Sequence, residues 1–334
     1  MTDDRRLRGA LRDGFGRQFE YLRLSLTDRC NFRCTYCLPH GFRKNSDLPP
    51  ELTRDELRRA VEGFARLGLW KLRLTGGEPS VRPDFDALLA DFAQIPGVRK
   101  IAMTTNGYRL AERALDWRRA GLAAINVSID TLDPATFARI TGHDRLKSIL
   151  EGIDRAVEAN FDAVKINSVL MRSLENRQWD DIVEFVASRP VTWRFIELMR
   201  TNDNVEMHEA EATPGAKLAK RLFDNGWTAH RRSAGSGPAI EYSHPGSIGR
   251  IGLIAPYSPS FCDTCNRLRL SSRGKLHLCL FGDGGLDLRD LLQSDSQQDE
   301  LAQRIVAALP SKARSHSLHE GRSGTTPHLA SIGG

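Results

Sequence analysis

Short β-rich runs alternate with helical patterns from residue 21 to about residue 200, and this alternation constrains the fold more than any other feature. The runs lie at 21–26, 71–75, 100–104, 124–129, 163–170 and 192–198. Strands that alternate with helices form a parallel sheet, because each helix returns the chain to the same edge. Six such units are fewer than the eight that close a barrel. The sequence therefore predicts an α/β fold, a partial (β/α)6 TIM-like barrel that is open along one side.

The helix between the first two strands has clear end signals. Thr53 and Glu56 form a capping box, apolar residues follow at helical spacing, and Gly68 suits the C-terminal end. After residue 200 the alternation fades through a polar stretch at 201–213, with helical patterns at 216–223, 286–292 and 301–309. We therefore expect an N-terminal extension (1–20), the barrel (21–200) and a C-terminal region (201–334) that closes the open side.

Polar or glycine-rich residues follow five of the six predicted strands, at 27–29, 75–79, 104–107, 128–130 and 197–199. Such residues also serve ordinary turns. The active sites of these barrels lie where the strands end, and all five segments fall on that predicted rim. The pattern favours one shared site.

The cysteines form two groups of three, namely Cys30, Cys34 and Cys37, and Cys262, Cys265 and Cys279. Spacings this short disfavour disulfides within the first loop. Iron–sulfur clusters take about one cysteine ligand per iron, so three ligands on a four-iron cluster leave one iron open to a small molecule. Zinc stays an alternative, since His40 could complete the first group and His277 the second.

Charge and hydropathy narrow the classes of partner. Lys and Arg number 48 and Asp and Glu 42, a formal charge of +6 that favours anions such as nucleic acid or a phosphorylated small molecule. No stretch approaches the roughly 18 apolar residues of a membrane span, and no apolar signal segment follows Met1. We expect a protein of the cytoplasm, without membrane association.

The first cysteine group, with Tyr36 before its last cysteine, resembles the signature of radical S-adenosylmethionine (SAM) enzymes. Residues 75–79, Thr-Gly-Gly-Glu-Pro, resemble the second hallmark of that superfamily, whose glycines allow close backbone approach to the methionine moiety. In the superfamily the open iron chelates SAM, and one-electron reduction cleaves SAM to a 5′-deoxyadenosyl radical. The resemblance implies that SAM is bound by Tyr36, Gly77, Ser128 and Met199.

Within that superfamily the chain is similar to the GTP 3′,8-cyclase family of molybdenum cofactor biosynthesis. The most specific segment is 261–281, and the terminal Gly333-Gly334 also matches. The resemblance implies a lyase that converts GTP to (8S)-3′,8-cyclo-7,8-dihydroguanosine 5′-triphosphate. It implies two [4Fe-4S] clusters, the second held by the later cysteine group with its open iron at the guanine, and a diglycine tail that enters the active site.

The same resemblance assigns a set of residues to GTP, with catalytic roles for Arg267 and Arg269. The set comprises Arg23, Lys71, Arg73, Thr104, Lys165, Arg194, Arg267, Leu268 and Arg269, of which Leu268 would contribute main-chain contacts only. Charge supports the assignment, because a triphosphate needs several cations and Arg offers a planar fork for its oxygens. Strand alternation also directs Lys71 and Arg73 to one face, toward the barrel interior.

The partners that the resemblance implies are GTP, an electron donor and cyclic pyranopterin monophosphate synthase, the downstream enzyme that receives the product. It implies no nucleic acid and no membrane, and it allows a homodimer. One alternative is a radical SAM maturase that acts on a peptide or RNA and uses its second cluster for electron transfer. The other is a non-enzymatic zinc protein that binds nucleic acid through its positive charge.

Overall fold

The computed structural model describes residues 9–174, 178–232, 235, 237–282, 284–324 and 332. Within them the strands are β1 (Tyr21–Ser25), β2 (Lys71–Thr75), β3 (Lys100–Thr105), β4 (Leu122–Ser128), β5 (Ala163–Leu170), β6 (Thr192–Glu197), β7 (Thr228–Ala229), β8 (Ile240–Ser243), β9 (Arg250–Ile254), β10 (Arg267–Leu270), β11 (Lys275–His277) and β12 (Leu286–Asp287). The α-helices are α1 (Arg54–Arg66), α2 (Phe85–Gln94), α3 (Leu110–Arg119), α4 (Pro134–Thr141), α5 (Leu146–Glu158), α6 (Trp179–Ala187), α7 (Val205–Glu211), α8 (Gly215–Asp224) and α9 (Gln298–Ala308). Among the described helices, none has both the length and the apolar character that a bilayer crossing requires.

All of these strands belong to one sheet, in the order β12-β11-β10-β1-β2-β3-β4-β5-β6-β9-β8-β7. In this order, each neighbouring pair from β10 through β1 to β6 and on to β9 is parallel. The remaining pairs, β12-β11, β11-β10, β9-β8 and β8-β7, are antiparallel. Within the described residues the two ends of the sheet do not pair with each other. The predicted partial barrel, open along one side, is confirmed.

Residues after 200 contribute more of the sheet than the sequence suggested. β10 adds to the edge at β1, and β9 adds to the edge at β6. The helix predicted at 286–292 is wrong, because Leu286 pairs with β11 and only Arg289–Leu292 forms a 3-10 turn. Helix α7 lies in the polar stretch for which no helix was predicted. Such short segments carry too few residues for a period to be recognised.

Side chains of the barrel strands alternate between an apolar outer face and a polar inner face. On β1 and β2, Leu22, Leu24, Leu72 and Leu74 are fully buried in the core formed with the surrounding helices. Removing each leucine side chain from water contributes about 2 kcal/mol, which favours this orientation of the strands. The residues between these leucines point into the barrel, and they create the candidate site.

The predicted cap of α1 is confirmed, and it connects distant parts of the chain. Glu56 N donates to Thr53 Oγ1 at 3.3 Å, and Thr53 N donates to Glu56 Oε2 at 2.7 Å. The helix ends at Arg66, just before Gly68 with its φ of +99°. Glu56 also accepts from Arg289 Nε at 2.9 Å, which holds the C-terminal region against the barrel.

Candidate active site

A first cavity lies at the C-terminal ends of the parallel strands, against the first cysteine group. The residues that line it include Cys30, Cys34 and Cys37, and the four predicted SAM residues Tyr36, Gly77, Ser128 and Met199. Thr104, which the resemblance assigned to GTP, also lines this cavity. The fold therefore brings together residues that are up to about 170 positions apart, from the cysteine loop to Met199.

Gly76 and Gly77 allow the loop after β2 to pack against the backbone that leads into the cysteine loop. Gly77 N donates to Thr27 O at 2.8 Å, and Glu78 N donates to Arg29 O at 2.8 Å. A Cβ atom on Gly76 would lie 2.4 Å from Thr27 O, and one on Gly77 would lie 2.3 Å from Arg29 O. The sequence predicted that these glycines allow close backbone approach to SAM. Among the described residues, the backbone that they approach closely is that of Thr27 and Arg29.

The carboxylate of Glu78 connects the loop after β2 with the end of β3 at this cavity. It accepts from Ser80 Oγ at 2.6 Å, from Thr105 Oγ1 at 2.9 Å and from Asn106 N at 2.7 Å. Asn106 Nδ2 in turn donates to Asn31 Oδ1 at 2.7 Å, beside Cys30. Burial raises the pKa of Glu78 in spite of these donors. The network fixes the first cysteine loop relative to β2 and β3.

Tyr36 is held by a buried carboxylate. Its hydroxyl donates to Asp130 Oδ2 at 2.8 Å, and Val169 N donates to Asp130 Oδ1 at 2.8 Å. Burial raises the pKa of Asp130 to about 6 and the pKa of the Cys30 thiol to about 11. Without a metal the Cys30 thiol is therefore protonated near neutral pH, so metal binding here must release a proton.

A second cavity lies deeper in the barrel, along the bodies of the strands, and it contains the second cysteine group. Nine Lys or Arg side chains line it, and the described lining residues include no Asp or Glu. The cations are Arg23, Lys71, Arg73, Lys100, Lys165, Arg194, Arg267, Arg269 and Lys312. Such a concentration of positive charge in a partly enclosed space suits a polyanion.

The cations of the second cavity are incompletely paired. Lys165 Nζ forms an ion pair with Glu241 at 2.8 Å, and Arg194 Nη2 donates to Asn167 Oδ1 at 2.7 Å. The buried Nε atoms of Arg194 and Arg269 have no hydrogen-bond partner among the described residues. Since buried donors are normally satisfied, these two atoms fit the oxygens of a bound anion.

The second cysteine group lies in more positively charged surroundings than the first. Burial raises the pKa of Cys265, but the positive charges of Arg267 and Lys312 outweigh burial and lower it to about 6. Arg267 Nη2 also donates to Cys265 Sγ at 3.9 Å. Thiolates are the ligands of iron–sulfur clusters, so this donor set fits such a cluster.

All six cysteines are free and half-buried. Among the described residues, no three Cys, His, Asp or Glu side chains converge on a point that suits one metal ion. The fit to a cluster rests instead on the grouping of three thiols at each of the two cavities.

The two cavities adjoin, because Asn167, Ile196 and Met199 line both. Thr104 connects them through a hydrogen bond from Arg73 Nη1 at 3.4 Å. The side chain of Leu268 is fully buried in the core rather than in either cavity. The predicted diglycine Gly333-Gly334 lies outside the described residues.

Several residues of the site were not identified from the sequence. Tyr21 and Lys100 occupy strand positions whose side chains point inward, as do Arg23 and Lys71. Strand alternation could therefore have identified them. Lys312 and His316 reach the second cavity from beyond α9, and no sequence pattern places them there.

Comparison with known proteins agrees with this geometry. Residues 24–186 match the Radical SAM superfamily, and residues 191–318 match Molybdenum Cofactor Synthesis C. A GTP 3′,8-cyclase of Aeromonas hydrophila is 54% identical over 328 residues, which cover 97% of this chain and 96% of that protein. A GTP 3′,8-cyclase of Vibrio cholerae is 50% identical over 323 residues, covering 96% and 97%. The chain belongs to the GTP 3′,8-cyclase family.

Solved structures place this member of the GTP 3′,8-cyclase family in a wider fold group. Streptococcus suis SuiB bound to S-adenosylmethionine has a TM-score of 0.59 at 13% identity, over 85% of this chain and 68% of that one. At this identity the similarity concerns the fold alone. It agrees with the partial barrel described above.

We expect Gly77→Ala to weaken SAM binding and to lower the melting temperature. The new Cβ would lie 2.3 Å from Arg29 O, so residues 27–29 would have to move and carry Cys30 with them. Overpacking of this kind costs about 1–3 kcal/mol. Isothermal titration with SAM and thermal unfolding check the result. Gly14→Ala is the control, since its Cβ would meet no atom of the described residues within 4 Å. Equal SAM affinity in both variants would contradict the packing argument.

Proposed function

We propose that this chain is a radical SAM enzyme that converts GTP to (8S)-3′,8-cyclo-7,8-dihydroguanosine 5′-triphosphate, the first step of molybdenum cofactor biosynthesis. Membership of the GTP 3′,8-cyclase family, nearly over the full length, supports this activity. The observation that carries the proposal is the pair of adjoining cavities. Each contains three cysteines, and among the described lining residues the deeper cavity has nine cations and the first has none.

The first cavity is the proposed SAM site. Cys30, Cys34 and Cys37 would hold a [4Fe-4S] cluster, and Tyr36, Gly77, Ser128 and Met199 would bind SAM. When bound, this cluster supplies the electron that cleaves SAM to a 5′-deoxyadenosyl radical. The chain's own contribution is rigidity, because Glu78 and Asp130 fix the surrounding loops through hydrogen bonds before any ligand arrives.

The second cavity is the proposed GTP site. Cys262, Cys265 and Cys279 would hold a second [4Fe-4S] cluster beside the guanine. Seven of the cations, with Thr104 and main-chain atoms at Leu268, are the proposed nucleotide ligands: Arg23, Lys71, Arg73, Lys165, Arg194, Arg267 and Arg269. Each guanidinium can donate two parallel hydrogen bonds to phosphate oxygens. In the barrel interior these bonds are stronger than they would be in water.

Arg267 and Arg269 are the proposed catalytic residues. They lie on β10 beside the second cysteine group, where Arg267 contacts Cys265. The Nε of Arg269, which has no hydrogen-bond partner within the described part of the chain, is available to a substrate atom. At this position the two side chains can stabilise the negative charge that the purine gains when the radical left by C3′–C8 bond formation is reduced by one electron, before a proton completes the 7,8-dihydro product.

This reaction requires further partners. Each turnover consumes one electron to cleave SAM and a second to reduce the cyclised purine radical, so the reaction requires an electron donor. The product retains its triphosphate, and we expect cyclic pyranopterin monophosphate synthase to consume it. The division of the chain at residues 20 and 200 stays a proposal, since strands from the last part complete both edges of the barrel.

Product analysis tests the proposed function. Protein reconstituted without oxygen should contain about eight iron atoms per chain, as two four-iron clusters require. With SAM, a reductant and GTP it should form 5′-deoxyadenosine and a nucleotide isomeric with GTP, which mass spectrometry and NMR identify. Zinc without iron would favour the nucleic-acid-binding alternative. Iron with SAM cleavage but no nucleotide product would favour a maturase.

A further inference from the structure

Tyr21 lies in the middle of the cationic face of the barrel. It is paired in register with Arg267 on β10 and with Lys71 on β2. Arg23, two residues along β1, is paired in register with Arg269 and Arg73. Since side chains directly opposite in a sheet share a face, the phenol is enclosed by cations on three adjacent strands.

Tyr21 makes two direct contacts with these cations. Arg73 Nε donates a hydrogen bond to the phenolic oxygen. Lys71 Nζ lies over the aromatic ring, 4.7 Å from its centroid. The residue is 4% exposed and lines the second cavity. Its oxygen is therefore inside the proposed nucleotide site, although the resemblance did not assign Tyr21 to GTP.

Apart from Cys262, Cys265 and Cys279, the phenol is the acidic side chain among the described residues that line the cavity. The described lining residues include no carboxylate, and Glu241 is already engaged with Lys165. Burial raises the pKa of Tyr21, but the positive charges of Arg73, Arg23 and Lys71 outweigh burial and lower it to about 7. Arg194 on β6 and Arg269 on β10 also interact with the phenol through their charges. Near neutral pH much of Tyr21 is thus phenolate.

We propose that Tyr21 is a positioning residue for the triphosphate: its oxygen orients Arg73 and serves as an internal anion until the nucleotide arrives. The inference rests on the proposed GTP site. When the triphosphate binds, its negative charge replaces that of the phenolate, and Tyr21 takes one proton from solvent to become a neutral phenol. One O–H bond forms, and no electron is transferred.

This exchange makes GTP binding depend on pH. Above about pH 7 the free protein has lost the phenolic proton and must regain it on binding, so the affinity falls as pH rises. One linked proton weakens binding by at most about tenfold per pH unit. Burial also lowers the pKa values of Lys71 and Lys165, so the pH dependence of the natural protein is not assigned to Tyr21 alone. The contribution of Tyr21 is therefore the difference in the pH dependence of GTP affinity between the natural protein and a variant without the hydroxyl.

Tyr21→Phe keeps the ring and removes the oxygen. Isothermal titration of the reconstituted protein with GTP, in buffers of different ionisation enthalpy at about pH 8, counts the protons taken up. We expect the natural protein to take up about one proton more per GTP than Tyr21→Phe. Between about pH 7.5 and about pH 9, its affinity should fall roughly twentyfold more than that of the variant, as one linked proton with a pKa of about 7 requires. Tyr242→Phe, which removes another buried hydroxyl, should behave like the natural protein.

The outcomes separate this inference from the proposed function. If the natural protein fails to bind GTP, the proposed function fails. If it binds GTP but Tyr21→Phe takes up as many protons, the role of Tyr21 is overturned.

Should Tyr21→Phe fold poorly, tyrosinate absorption of the natural protein decides the question. Burial raises the pKa values of Tyr36, Tyr242 and Tyr257, so these residues stay protonated near pH 8. GTP should remove a tyrosinate signal of about one residue. A signal that GTP leaves unchanged would overturn the proposal.

Discussion

Replacing Cys262 with serine should abolish the cyclised nucleotide while SAM is still cleaved to 5′-deoxyadenosine. Cys262 lines only the second of the two cavities, and the first keeps its own three cysteines. A serine hydroxyl is a poor ligand for iron compared with a thiolate. The loop itself should persist, because Arg17 Nη1 donates to the backbone oxygen of Cys262 at 3.0 Å. We expect at least a roughly 100-fold loss of product.

Chromatography with mass detection measures both products in one reaction, and iron analysis should show about half of the natural content. Cys30→Ser is the matched control, since it removes a ligand from the first group and should abolish both products. Normal product formation by Cys262→Ser would show that the second cysteine group does not hold the substrate.

The combined variant Arg267→Ala with Arg269→Ala should lose most of its affinity for GTP. Both side chains line the second cavity, and the Nε of Arg269 has no partner among the described residues. Each lost charge-assisted hydrogen bond to a phosphate or base costs about 1.5–3 kcal/mol. Two of them weaken binding by roughly 10²- to 10⁴-fold. Strand β10 should stay in place, because the buried side chain of Leu268 is unchanged.

Isothermal titration with GTP measures this loss, and a parallel titration with SAM should show little change. The control carries Arg54→Ala and Arg118→Ala, which remove the same charge from arginines that line neither cavity. Undiminished GTP affinity in the β10 variant would place the triphosphate elsewhere.

The sequence alone was sufficient to predict the strands and the first helix of the repeating βα part of the fold. Strand and helix periods are local, so β1 to β6 and helix α1 could be located from neighbouring residues alone. The same alternation directed Lys71 and Arg73 inward, where both line the second cavity. The two cysteine groups were also visible, since each has two or three members close together in the chain.

The register between distant strands was decided by the tertiary structure. β10 has only four residues, too few to show a period, yet its pairing with β1 places Arg267 opposite Tyr21 and Arg269 opposite Arg23. Likewise, the steric need for Gly77 arises from Arg29, almost fifty residues earlier in the chain. Local sequence determined which residue types each strand presents to the interior. Only packing of the whole chain, through long-range pairing and burial, determined which of them meet at one cavity.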